Sequence, residues 1–559
     1  MNDSRAGPAL KALAAAVIVV LVWTVVYPNV NVIAGSMSDG FASWREFWAS
    51  ATDREALRES VVISVLSVIG ATAIGLPLAL LVARAEFPGR GALRVAATLP
   101  VALPPLVGVV AFLFLYGESG VVSRVVQSVL GLQEAPWRFT GRWAIVTVHA
   151  YAFAPYVFAF ATASLDRFDT SLDDAARVLG ATRWRRLRRV TMPLLAPGLL
   201  AAMLLVFMSS LGSFSAPYVF GGGLRVLSTQ VVASRLNGAM GLAYVETTVL
   251  ALSAVAALLV FRALERGRAV TGGGKGVAAR RIATTPVARA LTATGAGAIV
   301  LMLILPHLMI VLVSFARDGA WTTQVLPPAY TLENFQRLAH DATLWLPIRN
   351  SLVMALIATA ANAVLCFAAA YLVTRTRVAG RGVLRLLLAL PWAIPATAIA
   401  IGLASTFDRN DALTARILLV GTFWILPLAY FVRGIPLVAS AIESSLRQMD
   451  PALEDAARGL GAPWWLTFRR VILPAARPGL IAGTLLAGVG AVGEFVASVV
   501  LYTHANRPIS TEILAQLRRL SFGTASAYSV LLLALVLAIT ATARWLEGRS
   551  SMLERATAG

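Results

Sequence analysis

One cysteine, two lysines and four histidines are all that 559 residues contain of those types, and each shortage removes a class of function. The single Cys366, inside an apolar run, excludes a disulfide framework and a cysteine-based metal site. Four histidines without an accompanying acidic cluster leave no metal constellation, and no nucleophile elbow is present. The run Gly272-Gly273-Gly274-Lys275-Gly276 lacks the G-x-x-x-x-G-K-[ST] spacing, because Gly276 follows the lysine, so no nucleotide loop is read there. Charge is scarce as well: 14% of residues carry it, against about 25% in an ordinary soluble domain.

What is present is apolar. Hydrophobic residues make up 58% of the chain and fall into long runs that charges barely interrupt. A soluble core does not produce so many runs of roughly 18 residues or more, whereas membrane-spanning helices require them. The fold class is therefore all-α integral membrane, since hydrocarbon offers no partner to an open backbone and no barrel-type alternation is seen. The formal charge of +20 does not point to nucleic acid. Apart from Lys11 and Lys275 it is arginine, clustered between the apolar runs.

Twelve spans are predicted, at approximately 10–28, 60–83, 96–116, 143–165, 196–220, 241–263, 289–315, 351–374, 385–405, 415–437, 478–502 and 525–546. Arginine sets their orientation. Loops 84–94, 166–195 (seven arginines, Arg167 to Arg189), 264–288, 374–385 and 438–477 are placed in the cytoplasm. Segments 29–59, 117–142, 221–240, 316–350, 406–414 and 503–524, with mixed charge, are placed outside. Both termini are then cytoplasmic. The first span is read as retained and not as a cleaved signal, because span seven holds the same place later in the chain and cannot be one.

The sequence repeats itself. Arg84, Gly89-Arg90-Gly91, Pro100 and Pro104 recur 291 positions later as Arg375, Gly380-Arg381-Gly382, Pro391 and Pro395. Beyond a shorter outer loop the offset is 281: Asp174-Ala175-Ala176, Gly180, Pro193 and Pro197-Gly198 match Asp455-Ala456-Ala457, Gly461, Pro474 and Pro478-Gly479. The bounds are 1–263 for the first half, a glycine-rich basic linker at 264–288, and 289–559 for the second. An even number of spans per half gives both one orientation, so a pseudo-two-fold axis along the membrane normal is expected, with a pathway at the interface.

The two longest arginine-rich loops hold the most informative residues. The first runs from Asp174-Ala175-Ala176 through Gly180 and Trp184 to Pro193, the second from Asp455-Ala456-Ala457 through Gly461 and Trp464 to Pro474. Each reads as a short helix, a glycine able to take a positive φ, and a second short amphipathic helix stopped before the proline. Trp184, Leu187 and Val190 form an apolar stripe beside an arginine face, as do Trp464 or Trp465, Phe468 and Val471. Such a stripe suits a partner's groove. It also suits a helix lying at the lipid headgroups, and the occurrence of two copies at corresponding places favours the partner.

Both loops resemble the E-A-A-x3-G-x9-I-x-L-P signature of inner-membrane components of binding-protein-dependent ABC importers. The departures are Asp174 and Asp455 for Glu, Val190 and Val471 for Ile, and Met192 for Leu in the first copy. The match covers both halves. It implies two tandem six-helix type I ABC importer permease domains in a bacterial inner membrane. It also implies an ABC ATPase dimer and a periplasmic or lipid-anchored binding protein as partners, with no cofactor on this chain and ATP used by the partner. The residues implied to couple to the ATPase are Asp174, Ala175, Ala176, Gly180, Trp184, Leu187, Pro193, Asp455, Ala456, Ala457, Gly461, Trp464, Phe468 and Pro474.

Inside the membrane, Glu494 stands out in Gly493-Glu494-Phe495, with Ser213 as its repeat partner in Gly212-Ser213-Phe214. Both are candidates for the translocation pathway, and a purely structural role for Glu494 weighs equally. His149 and Asn362 are read as interhelical hydrogen-bonding residues, and Pro104, Pro105, Pro155, Pro395, Pro427 and Pro436 as kinks. The single-chain fusion, with Glu494-Phe495-Val496-Ala497-Ser498 and Asn506-Arg507-Pro508-Ile509-Ser510, is similar to ferric-iron importer permeases. Related fused permeases handle thiamine or 2-aminoethylphosphonate. A secondary transporter with parallel repeats is the alternative; it is disfavoured because no relay of intramembrane acids and bases is present.

Overall fold

The computed structural model describes residues 8–166, 171–266, 285–321, 324–409, 414 and 416–557. Most of the linker expected at 264–288 lies outside the described residues. Regular structure among the described residues is helical, apart from one isolated bridge between Ala316 and Tyr330. In chain order the helices that matter are α1 (Pro8–Gly35), α2 (Ala51–Arg84), α3 (Pro105–Tyr116), α4 (Gly141–Asp166), α5 (Ser171–Val178) and α6 (Arg183–Leu211). Then come α7 (Leu227–Leu236), α8 (Met240–Arg266), α9 (Pro286–Ser314), α10 (Ala342–Arg375), α11 (Arg381–Ala393) and α12 (Ala396–Thr406). The last are α13 (Ile425–Gln448), α14 (Ala452–Gly459), α15 (Trp464–Val492), α16 (Val496–Leu501), α17 (Ile509–Arg518) and α18 (Phe522–Thr557).

Eleven of the described helices are long and apolar enough to cross a membrane. The expected ninth span, 385–405, is instead the pair α11 and α12, bent by 108°. Ile394 and, in the first repeat, Leu103 explain the break. Each precedes a proline, which pushes its backbone to an extended conformation (ψ 126° and 118°) and ends the helix there. Spans five and eleven also differ from expectation. They are not continuous over 196–220 and 478–502 but break at Gly212 and Gly493, the last residues before Ser213 and Glu494. Span ten begins at Ile425 and not near 415; the apolar Leu419 and Val420 belong to a turn whose amides bond the Phe407 carbonyl.

Two compact units form, one of residues 45–332 and one of residues 1–44 with 333–559. They do not follow the repeat halves 1–263 and 289–559, because each repeat's first span packs with the other repeat's helices. In the second unit α1 lies against α12: Asn31 donates to the Thr406 hydroxyl (2.9 Å), Trp23 meets Phe407 edge-on, and the Pro28 backbone sits over Gly402. In the first unit α9 takes the corresponding role, where Tyr151 donates to the Leu303 carbonyl (2.8 Å) and His307 Nε2 to that of Leu99 (3.3 Å). An apolar run carries no label for its neighbour; local fit between small residues decides it.

The long helices start from matching caps. Ser50 accepts from the Asp53 amide (3.2 Å) at the head of α2, and Asp341, 291 positions later, accepts from Thr343 (2.8 Å) at the head of α10. Close packing then rests on glycine. A Cβ on Gly75 of α2 would overlap the Ala154 carbonyl of α4, and one on Gly479 of α15 would overlap that of Ala441 in α13.

Candidate functional site

The two arginine-rich loops fold alike. α5 and α14 each end in a Schellman turn: Ala181 N–H bonds the Ala176 carbonyl (3.0 Å), and Ala462 N–H bonds that of Ala457 (3.0 Å). The turn needs a left-handed residue, and Gly180 (φ +77°) and Gly461 (φ +74°) supply it. A helical turn follows in each copy, capped by the Thr182 hydroxyl in the first.

Here the expected stop at proline does not occur. Each turn runs through a widened π-helical turn, Leu187–Thr191 or Phe468–Ile472, straight into the following apolar helix. Met192 N–H reaches back to the Leu187 carbonyl and Leu473 N–H to that of Phe468. Pro193 and Pro474 then sit in the first turn of the continuing helix. They have no N–H, so the carbonyls of Arg189 and Arg470 lose their i+4 donors, and the widened turn accommodates the defect.

The acidic residues divide into two roles that the sequence reading did not separate. Asp174 and Asp455 point outward and, among the described residues, pair with Arg177 and Arg458 on their own helices, at 3.5 and 3.3 Å. The acid one position earlier is turned inward. Asp173 accepts from Arg186 at 2.6 Å, and Glu454 accepts from Arg375 at the foot of α10 at 2.6 Å. That Asp173 and Glu454 share a repeat position was the available signal.

Ala175 and Ala456 are exposed, and Ala176 and Ala457 half-buried. Trp184 and Trp464 are exposed while Leu187 is half-buried, so the first stripe is partly available to a partner. Phe468 differs: it stacks between Trp464 and Trp465 and meets Phe367 of α10 edge-on at 5.6 Å. It anchors the loop to its own chain. The most outward apolar side chains are ones the sequence reading passed over, Leu179 (86% exposed) and Leu460 (88%), each directly before the turn glycine.

Within the membrane-spanning helices the repeat positions carry different chemistry. Ser213 and Glu494 occupy the breaks after α6 and α15, where the backbone carbonyls lose helical partners. Ser228 donates to the Ser213 carbonyl and Ser510 to that of Glu494, both at 2.6 Å. Around Ser213 the partners are one histidine and two serines: His149 Nε2 lies 2.9 Å from its hydroxyl, and Nδ1 lies 3.0 Å from those of Ser67 and Ser210. Around Glu494 the cluster is charged. Its carboxylate receives Arg433 Nη1 (3.0 Å to Oε2) and the Ala497 amide (3.0 Å), and Tyr430, at the repeat position of His149, bonds Ser498 at 2.7 Å. Arg433 was not singled out from sequence. Asn362 is fully buried and packs against Gly434 of α13, but its Oδ1 accepts from Cys366 of its own helix and its Nδ2 has no partner among the described residues, so the expected interhelical hydrogen bond is not seen.

Comparison with known proteins agrees with this doubled arrangement. The family described as "Binding-protein-dependent transport system inner membrane component" matches residues 75–270 and again 364–551. "Probable ABC transporter permease protein y4fN" of Sinorhizobium fredii is 30% identical over 480 residues, 85% of this chain and 84% of that one. "Ferric transport system permease protein FbpB" of Actinobacillus pleuropneumoniae is 25% identical over 95% of this chain and 77% of its own length. "Sulfate transport system permease protein CysT" of Escherichia coli is 31% identical over 36% of this chain and 75% of its own.

Proposed function

The chain belongs to the family of binding-protein-dependent transport system inner membrane components, and from that premise we propose that its two arginine-rich loops dock a separate ATPase dimer on the cytoplasmic side. The observation that carries this is the duplicated tip. Leu179-Gly180 and Leu460-Gly461 project from matching Schellman turns, beside outward Asp174 and Asp455. A lone exposed leucine is ordinary; two at one repeat position, each on a rigid turn, suit two equivalent clefts. Two residues separate each tip from a helical turn, begun at Arg183 or Trp464, that the π-helical turn joins to the membrane helix without interruption, so a push at the tip is passed on to α6 and α15. The chain itself hydrolyses nothing; it carries the pathway through the bacterial inner membrane, and ATP is used by the partner.

The arginine loops set both termini in the cytoplasm, and a periplasmic or lipid-anchored binding protein delivers cargo from the other side. Ferric iron is the cargo this reading favours, supported by relatives named as ferric transport permeases that match 95% and 88% of this chain. Thiamine and 2-aminoethylphosphonate are the competing cargoes. The test is uptake into proteoliposomes holding the full chain with the ATPase and binding protein of the same system. ATP-driven accumulation of 55Fe(III), unaffected by a protonophore and lost in Leu179→Ser/Leu460→Ser, supports the reading. Uptake that runs on a proton gradient without ATP sinks it, and accumulation of labelled thiamine or 2-aminoethylphosphonate in place of iron reassigns the cargo.

A further inference from the structure

The pair Arg433–Glu494 is open on one side only, and it is the cationic side. Glu494 is 8% exposed, with its carboxylate held by the Arg433 guanidinium and the Ala497 amide. The Arg433 side chain is 35% exposed. Its Nη1 makes the contacts to Glu494, while Nε and Nη2 have no partner among the described residues.

Depth gives this exposure its meaning. Phe423 and Trp424 stand at the head of α13, the aromatic pair expected where a helix enters the bilayer. Arg433 lies nine residues further on, about 13 Å deeper at 1.5 Å per residue. Guanidinium N–H groups facing hydrocarbon at that depth would lose their hydration with nothing to replace it, so they require a polar space before them. What that space offers a passing molecule is the unused edge of a planar fork, pre-aimed by Glu494, which matches a pair of coplanar oxygens. The carboxylate, by contrast, is buried and already accepts from the Arg433 guanidinium and the Ala497 amide. Among the described residues no three His, Cys, Asp or Glu side chains converge into a set able to hold a bare metal ion.

We propose that Arg433 is a cargo-contacting residue that binds anionic oxygens, and that the cargo passes α13 as an oxyanion or as a metal ion still carrying oxyanion ligands. Glu494 is the positioning residue that holds the fork. This rests on the importer reading and refines its substrate class.

The test is site-resolved labelling of the full chain in lipid nanodiscs with the arginine reagent phenylglyoxal, read by peptide mass spectrometry. The probes are sodium sulfate, methylphosphonate and ferric pyrophosphate, against sodium chloride at equal ionic strength. Arg433 is expected to react in chloride and to be protected by at least one oxyanion probe, while the exposed Arg469 reacts equally throughout. Protection by sulfate or methylphosphonate identifies a free oxyanion, and protection by ferric pyrophosphate alone identifies a liganded metal. Equal labelling with every probe overturns the proposal, as does no labelling at all. In ATP-driven uptake, Arg433→Lys should lose about tenfold or more, the worth of one charge-assisted hydrogen bond. Glu494→Gln should raise KM more than it lowers kcat, with partial rescue by Glu494→Asp; unchanged uptake in Arg433→Ala overturns the assignment. The labelling needs neither ATP nor a partner, so a failure of the importer reading would appear separately, as wild-type uptake that ignores ATP.

Discussion

Glu454 and Arg375 are joined at 2.6 Å across 79 positions of sequence, and both side chains are about nine-tenths buried. Arg375 also donates to the Met449 carbonyl at 3.3 Å. One guanidinium thus fastens both the start of the second loop and its short helix to the foot of α10. Breaking a buried pair from one side leaves an unmatched charge, a loss of about 3–5 kcal/mol. We expect Glu454→Gln to speed hydrogen exchange of the 452–459 amides well before the chain melts globally. Unchanged exchange there would show that the clasp is idle.

The turn glycines respond to backbone geometry and not to space. A Cβ at Gly180 or Gly461 would touch nothing within 4 Å. The left-handed φ alone disfavours a side chain, by about 1–2 kcal/mol for most residues. Gly461→Val should therefore weaken ATPase association in a pull-down with the purified partner subunit, and Gly461→Asn should retain most of it. Equal binding by the two variants would contradict the role given to the turn.

Leu460 and Phe468 are close in sequence and should fail differently. Leu460→Ser removes an exposed side chain, so thermal stability should stay within about 0.5 kcal/mol while ATPase binding drops. Phe468→Ala removes the ring between Trp464, Trp465 and Phe367 and should destabilise by about 1–3 kcal/mol. Measured melting temperatures that rank the two the other way would reverse the assignment.

Asp341 gives a pH dependence with a definite sign. Hydrogen bonds from the Thr343 hydroxyl and amide hold its carboxyl below the usual range. A depressed folded-state value means that the cap's contribution is complete above the ordinary carboxylate range. It is lost as pH falls through the depressed value. Wild type should lose thermal stability in that acid window, and Asp341→Asn, which keeps the cap but cannot titrate, should lose less. Identical acid profiles for the two would rule the cap out as a contributor.

Much of this was legible in sequence because it was written twice. The loops around Gly180 and Gly461 share spacing over twenty residues, so their turn geometry was readable from either copy. The inward acids escaped notice because Asp173-Asp174 and Glu454-Asp455 are chemically alike in a string; only the positions of Arg186 and Arg375 in space tell the clasp from the outward neighbour. The breaks at Gly212 and Gly493 were hidden inside hydropathic runs, since serines 15 or 16 residues downstream repair the freed carbonyls. Arg433 was invisible for a similar reason. Its pairing with Glu494 spans 61 positions, and one arginine does little to the hydropathy of a long apolar window.

The exchange of first spans carries a consequence for biosynthesis. The Asn31 side chain bonds Thr406, 375 positions later. At about 5–20 residues per second, α1 waits roughly 20–75 s in the bilayer before the helix it packs against has been synthesised. Through that interval its packing face is open to lipid or to whatever membrane protein drifts past. A chaperone-like insertase that shelters α1, or a variant that slows translation between the repeats, should change the yield of folded protein without altering the folded structure.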